Sequence, residues 1–340
     1  MGDPDRQPKF YSPEVMTYFV AGGVAGATSR TVVSPLERLK IIQQVQPRAS
    51  EKQYKGVWSS LVRMWKEEGF KGYMRGNGVN CLRIVPYSAV QFTTYEQVKK
   101  FFIRDGTSQL DTPKRLVSGA LAGIASVCTT YPLDLVRARL SIATASIPMR
   151  NVPPPAVQPH RVPSNAPLNP SVPYSRSSHR PKYSKRDLSI IGMTTKIMRE
   201  EGGIRALYRG LIPTALGVAP YVGINFAAYE WFRGIITPPG KDTIGRKLLC
   251  GALSGAISQT LTYPLDVLRR KMQVIGMKSA ERLGDKRNGA VDALTSIIRT
   301  EGFRGLYRGL WPNLLKVAPS IATSFFTYEL VKEHLIIPRG

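Results

Sequence analysis

Pro35-Leu36-Glu37-Arg38-Leu39-Lys40 returns as Pro132-Leu133-Asp134-Leu135-Val136-Arg137 and again as Pro264-Leu265-Asp266-Val267-Leu268-Arg269. In a helix the acid and the base, three residues apart, share one face, and the proline marks a kink or a helix end. A second phrase follows each copy: Glu68-Gly69 to Tyr73-Met74-Arg75-Gly76, Glu201-Gly202 to Tyr208-Arg209-Gly210, and Glu301-Gly302 to Tyr307-Arg308-Gly309. A third closes each one: Tyr95-Glu96-Gln97-Val98-Lys99, Tyr229-Glu230-Trp231-Phe232-Arg233 and Tyr328-Glu329-Leu330-Val331-Lys332. One such proline alone would be an ordinary kink. Three phrases in the same order three times are an internal repeat.

The first two prolines lie 97 residues apart and the next two 132, an excess of 35. It falls in residues 146–186, which carry ten prolines, seven Lys/Arg and no acid, the composition of a disordered insertion. The expected organisation is a tail over 1–14, repeats over 15–107, 108–238 (with the insertion) and 239–340. Each repeat holds two apolar stretches. Residues 116–133, 210–229 and 248–265 run 18, 20 and 18 residues without a charge, and 15–29 runs 15. These approach the ~20 residues a bilayer span needs. They are rich in Gly, Ser and Thr, which suits helices facing each other and water as well as lipid. Gly22/Gly26, Gly119/Gly123 and Gly251/Gly255 have the spacing of close helix contact. Short amphipathic helices are expected near 57–67, 188–200 and 290–300. The predicted fold is all-α: six transmembrane helices in three pseudo-symmetric repeats, with short helices on one side and both termini on the same side.

Averages conceal this. Mean hydropathy is −0.15 and 21% of the 340 residues are charged, values of a soluble chain. The 48 Lys+Arg against 23 Asp+Glu, net +25, point to a polyanionic partner: nucleic acid, anionic lipid or a phosphorylated small molecule. Collagen-like and coiled-coil compositions are excluded. Cys81, Cys128 and Cys250 lie in apolar stretches, so free thiols are expected rather than a disulfide scaffold. The first 13 residues are polar and Pro-rich, with no apolar signal-peptide core.

The triplicated phrases, covering about 15–337 apart from the insertion, resemble those of the mitochondrial carrier family. The resemblance implies a multi-pass protein of the mitochondrial inner membrane, a transporter rather than an enzyme, working as a monomer. It implies a matrix gate of inter-repeat ion pairs, Glu37–Arg137, Asp134–Arg269 and Asp266–Lys40. It likewise implies a cytosolic gate, Glu96–Arg233, Glu230–Lys332 and Glu329–Lys99. Two closed rings would trap any cargo, so one opens as the other forms. Glutamines nine residues after the proline brace the matrix gate in the family. Gln44 and Gln273 match, but Ser141 stands in repeat two. A further base seven residues after the proline is present as Arg139 and Lys271 but is Ile42 in repeat one. A matrix gate of intermediate strength is therefore expected. Tyr95, Tyr229 and Tyr328 are expected either to brace the cytosolic gate or to be interfacial aromatics. No cofactor or metal is implied. Bound cardiolipin is, held where Tyr54-Lys55-Gly56, Asn288-Gly289 and the Tyr-x-Gly phrases open helices, whose N-termini offer unpaired N–H groups.

In this family the position three before the proline of each even-numbered span faces the cavity. Pro86, Pro220 and Pro319 each lie nine residues before the Tyr of the third phrase, so the contact positions are Arg83, Gly217 with Val218, and Lys316. An ionised residue inside a span is costly and therefore a functional candidate. Arg83 offers paired N–H donors to a phosphate or sulfate and Lys316 a point charge, while Gly217-Val218 leaves a small apolar slot. Arg30, five before Pro35, adds a cation where adenine nucleotide carriers have one. Tyr87 and Tyr221 either stack on a base or simply pack, and Asn80 and Asn225 are lesser polar candidates. The surroundings of Pro86 and Pro220 resemble those in coenzyme A carriers, ATP-Mg/phosphate carriers and the fungal carrier of adenosine 5′-phosphosulfate and 3′-phospho-adenosine 5′-phosphosulfate, with the wording nearest the last. An adenine-nucleotide-type antiporter is thus implied. ATP-Mg/phosphate, thiamine pyrophosphate or non-nucleotide proton/anion transport remain open. The ADP/ATP carrier proper is excluded, since Arg269-Arg270-Lys271-Met272-Gln273 departs from its Arg-Arg-Arg-Met-Met-Met.

Other classes fit less well. No nucleic-acid-binding module accompanies the charge. His160, His179 and His334 are the only histidines, and no H-E-x-x-H, G-x-S-x-G or phosphate-cradling loop occurs. No EF-hand loop is present, so calcium control is not expected.

Overall fold

The computed structural model describes residues 13–46, 54–103, 111–145, 184, 186–237, 243–274 and 289–336. The expected tail and the Pro-rich insertion lie almost wholly outside the described residues. Repeat one runs α1 (Pro13–Val32), α2 (Ser34–Val45), α3 (Trp58–Tyr73), α4 (Asn77–Leu82) and α5 (Ile84–Ile103). Repeat two runs α6 (Thr112–Ile142), α7 (Ile190–Glu200), a 3₁₀ turn (Gly203–Tyr208) and α8 (Leu211–Ile236). Repeat three runs α9 (Ile244–Val274), α10 (Ala290–Glu301), a 3₁₀ turn (Phe303–Tyr307), α11 (Leu310–Leu315) and α12 (Val317–Ile336). Six long segments result: α1–α2, α4–α5, α6, α8, α9 and α11–α12.

Proline decides where the segments bend. Pro132, Pro264 and Pro220 sit inside α6, α9 and α8, whereas Pro35 stands in the first turn of α2 after a break at Val33. Pro86 and Pro319 have no N–H for the carbonyls of Leu82 and Leu315, and the helix breaks there at a single residue: Arg83 in one case, Lys316 in the other. The two cavity cations thus occupy matching bends. Thr112–Ile142 and Gly203–Ile236 are each long and apolar enough to cross a bilayer by that measure alone.

The segments close into a ring. The tightest long contacts join α5 to α6, α8 to α9 and α1 to α12, one seam between each pair of repeats. At the last seam Ser29 Oγ donates to the Ser320 carbonyl at 2.7 Å. Packing is dense at the proline end, where Arg38–Gln44 of α2 and Asp134–Ile142 of α6 are buried without interruption. Nothing in α5 is buried. The short helices α3, α7 and α10 lie under the proline end, with Met64, Met193 and Ile197, and Ile297 entering the core clusters. Ser189 caps α7 by accepting from Gly192 N at 3.0 Å. Just before it, the Lys196 ammonium and the Ser184 N–H hold the Asp187 carboxyl below its usual range.

Of the six paired glycines, two make the close approach their spacing suggested. A Cβ on Gly123 would stand 2.9 Å from Val218 Cγ1 and one on Gly26 3.6 Å from Ile84 Cδ1; Gly22, Gly119, Gly251 and Gly255 face nothing within 4 Å. The indispensable glycines are those closing the second phrase. Gly76, Gly210 and Gly309 have φ of +83, +85 and +80°. A Cβ there would meet the carbonyls of Arg137, Arg269 and Lys40 at 3.2, 3.0 and 3.0 Å. Each repeat thus presses a glycine onto the next repeat's motif base. Gly210→Ala combines a left-handed residue, about 1–2 kcal/mol, with overpacking of about 1–3 kcal/mol. It is expected to lower the Tm of the detergent-purified protein by about 5–10 °C. Gly22→Ala is the control and should leave Tm unchanged or raised.

Candidate functional site

The proline end is shut by ion pairs. Arg137 bonds Glu37 across repeats one and two, and Lys40 Nζ meets Asp266 Oδ2 at 3.1 Å across repeats one and three. Both were expected. The third pair differs: Asp134 is met by Arg270 at 3.2 Å, while Arg269 turns to Asp266 of its own helix, also at 3.2 Å. One residue is 100° round a helix, so Arg270 rather than the motif base faces repeat two. The braces form where glutamine is present. Gln44 Nε2 donates to Tyr263 Oη at 3.0 Å, and Gln273 Nε2 to Tyr131 Oη at 3.2 Å and to Asp134 at 3.1 Å. The Ser141 hydroxyl bonds back to the Arg137 carbonyl within α6, at 2.9 Å, and braces nothing across the gate among the described residues.

The expectation of a gate of intermediate strength rested on two departures, Ser141 and Ile42; the missing brace stays missing, but the missing base is replaced. Arg139 pairs with Glu201, and Lys271 with Glu301. In repeat one the same place opposite Glu68 is taken by Arg38, from one turn earlier, at 2.8 Å.

The other end is open. Glu96 and Glu329 reach only their own helix's Lys99 and Lys332, each at 3.9 Å and largely exposed. None of the three expected inter-repeat pairs involving Glu96, Glu230 and Glu329 is made among the described residues. An exposed pair of this kind is worth about 0.3–0.5 kcal/mol, too little to hold a gate. Tyr95, Tyr229 and Tyr328 are half-buried and make no hydrogen bond among the described residues. The molecule is a funnel, closed at the prolines.

The contact positions line its floor, and two of them do more than line it. Arg83 Nη1 lies 3.2 Å from Asp134 and Lys316 Nζ 3.1 Å from Glu37. No acid stands at a contact position; it is the gate acids themselves that reach the cavity cations. Six bases share three acids, two to each: Arg137 and Lys316 on Glu37, Arg270 and Arg83 on Asp134, Lys40 and Arg269 on Asp266. The Nε atoms of Arg83 and Arg270 are buried without a hydrogen-bond partner among the described residues, while Arg269 Nε is the atom that faces Asp266 Oδ1. Arg30 donates to the Asn80 carbonyl at 3.1 Å and to its Oδ1 at 3.3 Å.

The remaining contact residues sort as follows. The Arg83 guanidinium lies over the Tyr87 ring, 5.7 Å from its centre. Tyr221 is half-buried, with no ring contact among the described residues. A Cβ on Gly217 would lie 3.7 Å from Leu265, and Val218 packs on Gly123, so Val218 packs toward α6 and Gly217 toward α9. Sequence reading missed Arg38, Arg270 and the bridging role of Asn80. The doubled base at 269–270 was visible as a signal. The use of Arg38 was not, because position 38 lies outside the repeated pattern.

The profile of the family described as mitochondrial carrier protein matches residues 11–106, 108–156, 173–239 and 240–338. An uncharacterised mitochondrial carrier of Saccharomyces cerevisiae is 44% identical over 96% of this chain and 95% of its own length. A mitochondrial adenine nucleotide transporter of Arabidopsis thaliana, ADNT1, is 40% identical over 97% of this chain and 90% of its own. The mitochondrial carrier protein CoAc1 of Zea mays is 38% identical over 94% and 87%.

Proposed function

We propose, from the premise that this chain belongs to the mitochondrial carrier family, that it exchanges adenine-nucleotide-type phosphorylated solutes across the inner mitochondrial membrane. Its family makes it a multi-pass inner-membrane transporter, not an enzyme, and fixes the six-span fold. The cargo is our own reading, and one observation carries it. Six bases converge on three acids at the funnel floor, and Arg30 stands beside them. Such a charge surplus inside a membrane is costly unless an anion neutralises it. Seven bases against three acids leave a surplus of four, which a cargo with about three to four negative charges comes close to balancing, as a nucleoside diphosphate or coenzyme A does and a monocarboxylate does not. The names of the Arabidopsis and maize relatives, an adenine nucleotide transporter and a CoAc carrier, support the same class.

The proposed cycle follows from the pairing. In the cytosol-open state Arg83 and Lys316 rest on Asp134 and Glu37 and so belong to the matrix gate. A phosphate drawing them upward leaves each acid one base instead of two. The gate then opens as Glu96, Glu230 and Glu329 find Arg233, Lys332 and Lys99. Gly217-Val218 is the slot for a flat ring and Tyr221 the free aromatic beside it. Tyr87 is already engaged by Arg83. Cardiolipin at the N-termini of α3 and α10 is part of the same proposal.

The test is exchange in liposomes preloaded with ADP, ATP, coenzyme A, adenosine 5′-phosphosulfate, 3′-phospho-adenosine 5′-phosphosulfate, thiamine pyrophosphate or malate. At least one adenine-containing solute is expected to exchange faster than malate by about tenfold or more. If malate exchanges and every nucleotide fails, the cargo assignment falls.

A further inference from the structure

We infer that Asn80 is a positioning residue that ties occupancy of the cavity to the matrix gate. Asn80 is 2% exposed and stands one turn into α4, after Gly76. Its Oδ1 and its backbone carbonyl both accept from Arg30 Nη1, at 3.3 and 3.1 Å. Its Nδ2 donates to Glu37 Oε2 at 3.1 Å, the oxygen that also holds Arg137. A side-chain amide has its acceptor and its donor at opposite ends of one rigid plane. With Arg30 on the oxygen, the N–H₂ is aimed at Glu37, and a cation on the oxygen polarises the amide and strengthens that donation.

The bridge is not a general property of the fold. The same place after the second-phrase glycine is Thr214 in repeat two and Asn313 in repeat three. Thr214 Oγ1 donates to the Gly210 carbonyl at 2.7 Å and meets no gate acid among the described residues. Asn313 is as buried as Asn80, yet its Oδ1 has no hydrogen-bond partner. Five residues before the motif proline, repeat two has Val127 in place of Arg30. Repeat three has Gln259, which bonds its gate acid Asp266 directly at 2.8 Å. Gln273 also joins a base, Arg270, to a gate acid, Asp134, but there the base touches the acid directly as well; among the described residues, a cavity base that reaches its gate acid through a buried amide at these two positions occurs in repeat one alone.

Arg30 has no ion-pair partner among the described residues, so an incoming phosphate meets a guanidinium held by neutral oxygens. When the phosphate takes Arg30, Asn80 loses the group that orients it, and Glu37 loses a donor at the moment Lys316 is drawn away. Repeat one thus senses cargo through two separate contacts to one acid. This rests on the reading that Arg30 meets the cargo.

The test compares two fluxes in proteoliposomes, with ADP and coenzyme A used in parallel. One is exchange against internal solute; the other is efflux with none outside. Asn80→Asp keeps the shape and the acceptor for Arg30 but removes the donor and repels Glu37. Its efflux-to-exchange ratio is expected to rise by about tenfold, with a raised KM because Arg30 is now ion-paired. Asn80→Ala should raise the ratio without trapping Arg30, and covers the case in which the aspartate variant fails to fold. Asn313→Ala should leave the ratio at the wild-type value. If the ratio is unchanged in both Asn80 variants, or if Asn313→Ala shifts it equally, the coupling is refuted. Should wild type exchange neither nucleotide but exchange malate, the cargo reading falls separately, and the same ratio measured on malate decides for or against Asn80.

Discussion

Arg83→Ala is expected to reduce nucleotide exchange at least about thirtyfold while the carrier stays folded. The second half of that statement comes from the geometry. Arg83 touches Asp134 at 3.2 Å, but Asp134 keeps Arg270 at 3.2 Å and Gln273 at 3.1 Å when Arg83 is gone. The gate acid is not left as a buried unpaired charge, the usual route by which such a deletion unfolds a protein. What disappears is a forked donor whose Nε has no hydrogen-bond partner among the described residues. Losing one charged partner of a buried anion costs about 2–5 kcal/mol, and the lower limit is about thirtyfold in rate. Arg83→Lys restores the charge without the fork and should recover only part of the rate. The measurement is initial exchange rate in liposomes, normalised to protein that retains the wild-type Tm. A rate within about threefold of wild type for the alanine variant would remove Arg83 from the cargo site.

The repeat was legible because it is written three times with charges at fixed offsets, and the family resemblance, with the frame of Pro86, Pro220 and Pro319, singled out Arg83 and Lys316, which the structure sets against Asp134 and Glu37. The partners of those charges were less legible. Asp134 pairs with Arg270 rather than Arg269 because adjacent residues on a helix point 100° apart, and whichever faces the neighbouring repeat depends on helix rotation, which no spacing encodes. The pairing of Arg83 and Lys316 with gate acids was hidden for another reason. Three acids serve two rows of bases, one on the odd spans and one on the even, and a pattern read within each phrase never compares the rows. The open cytosolic end could not be read at all. Glu96, Glu230 and Glu329 are the same letters in both states, and only the arrangement of the helices tells which gate is made.

Ile42 shows how a departure from the pattern can mislead. Read as a missing base, it implied a weaker gate. In the structure Ile42 is fully buried against Leu39, Tyr54 and Met64, where a charge would be expelled, and Arg38 does the joining. Arg38 is 1% exposed. Its Nε donates to the Ser141 carbonyl at 2.9 Å, its Nη1 to the Gly72 carbonyl at 2.7 Å, and its Nη2 to both oxygens of Glu68 at 2.8 and 2.9 Å. One guanidinium therefore pins α2 to α3 and to the end of α6 in the next repeat, as Arg139 does through Glu201 and the Gln273 carbonyl. Arg38→Ala leaves an acid and two carbonyls without this partner, and removing one member of such a buried pair costs about 3–5 kcal/mol. The Tm of the purified carrier is expected to fall by about 10 °C. Arg38→Lys keeps a charge near Glu68 but cannot span both carbonyls, so it should lie between. Adding Ile42→Arg to Arg38→Ala should not rescue the loss, because the new charge would enter an apolar cluster. Rescue by Ile42→Arg, or a fall of less than about 3 °C for Arg38→Ala, would return the gate to the family's spacing and strip Arg38 of its role.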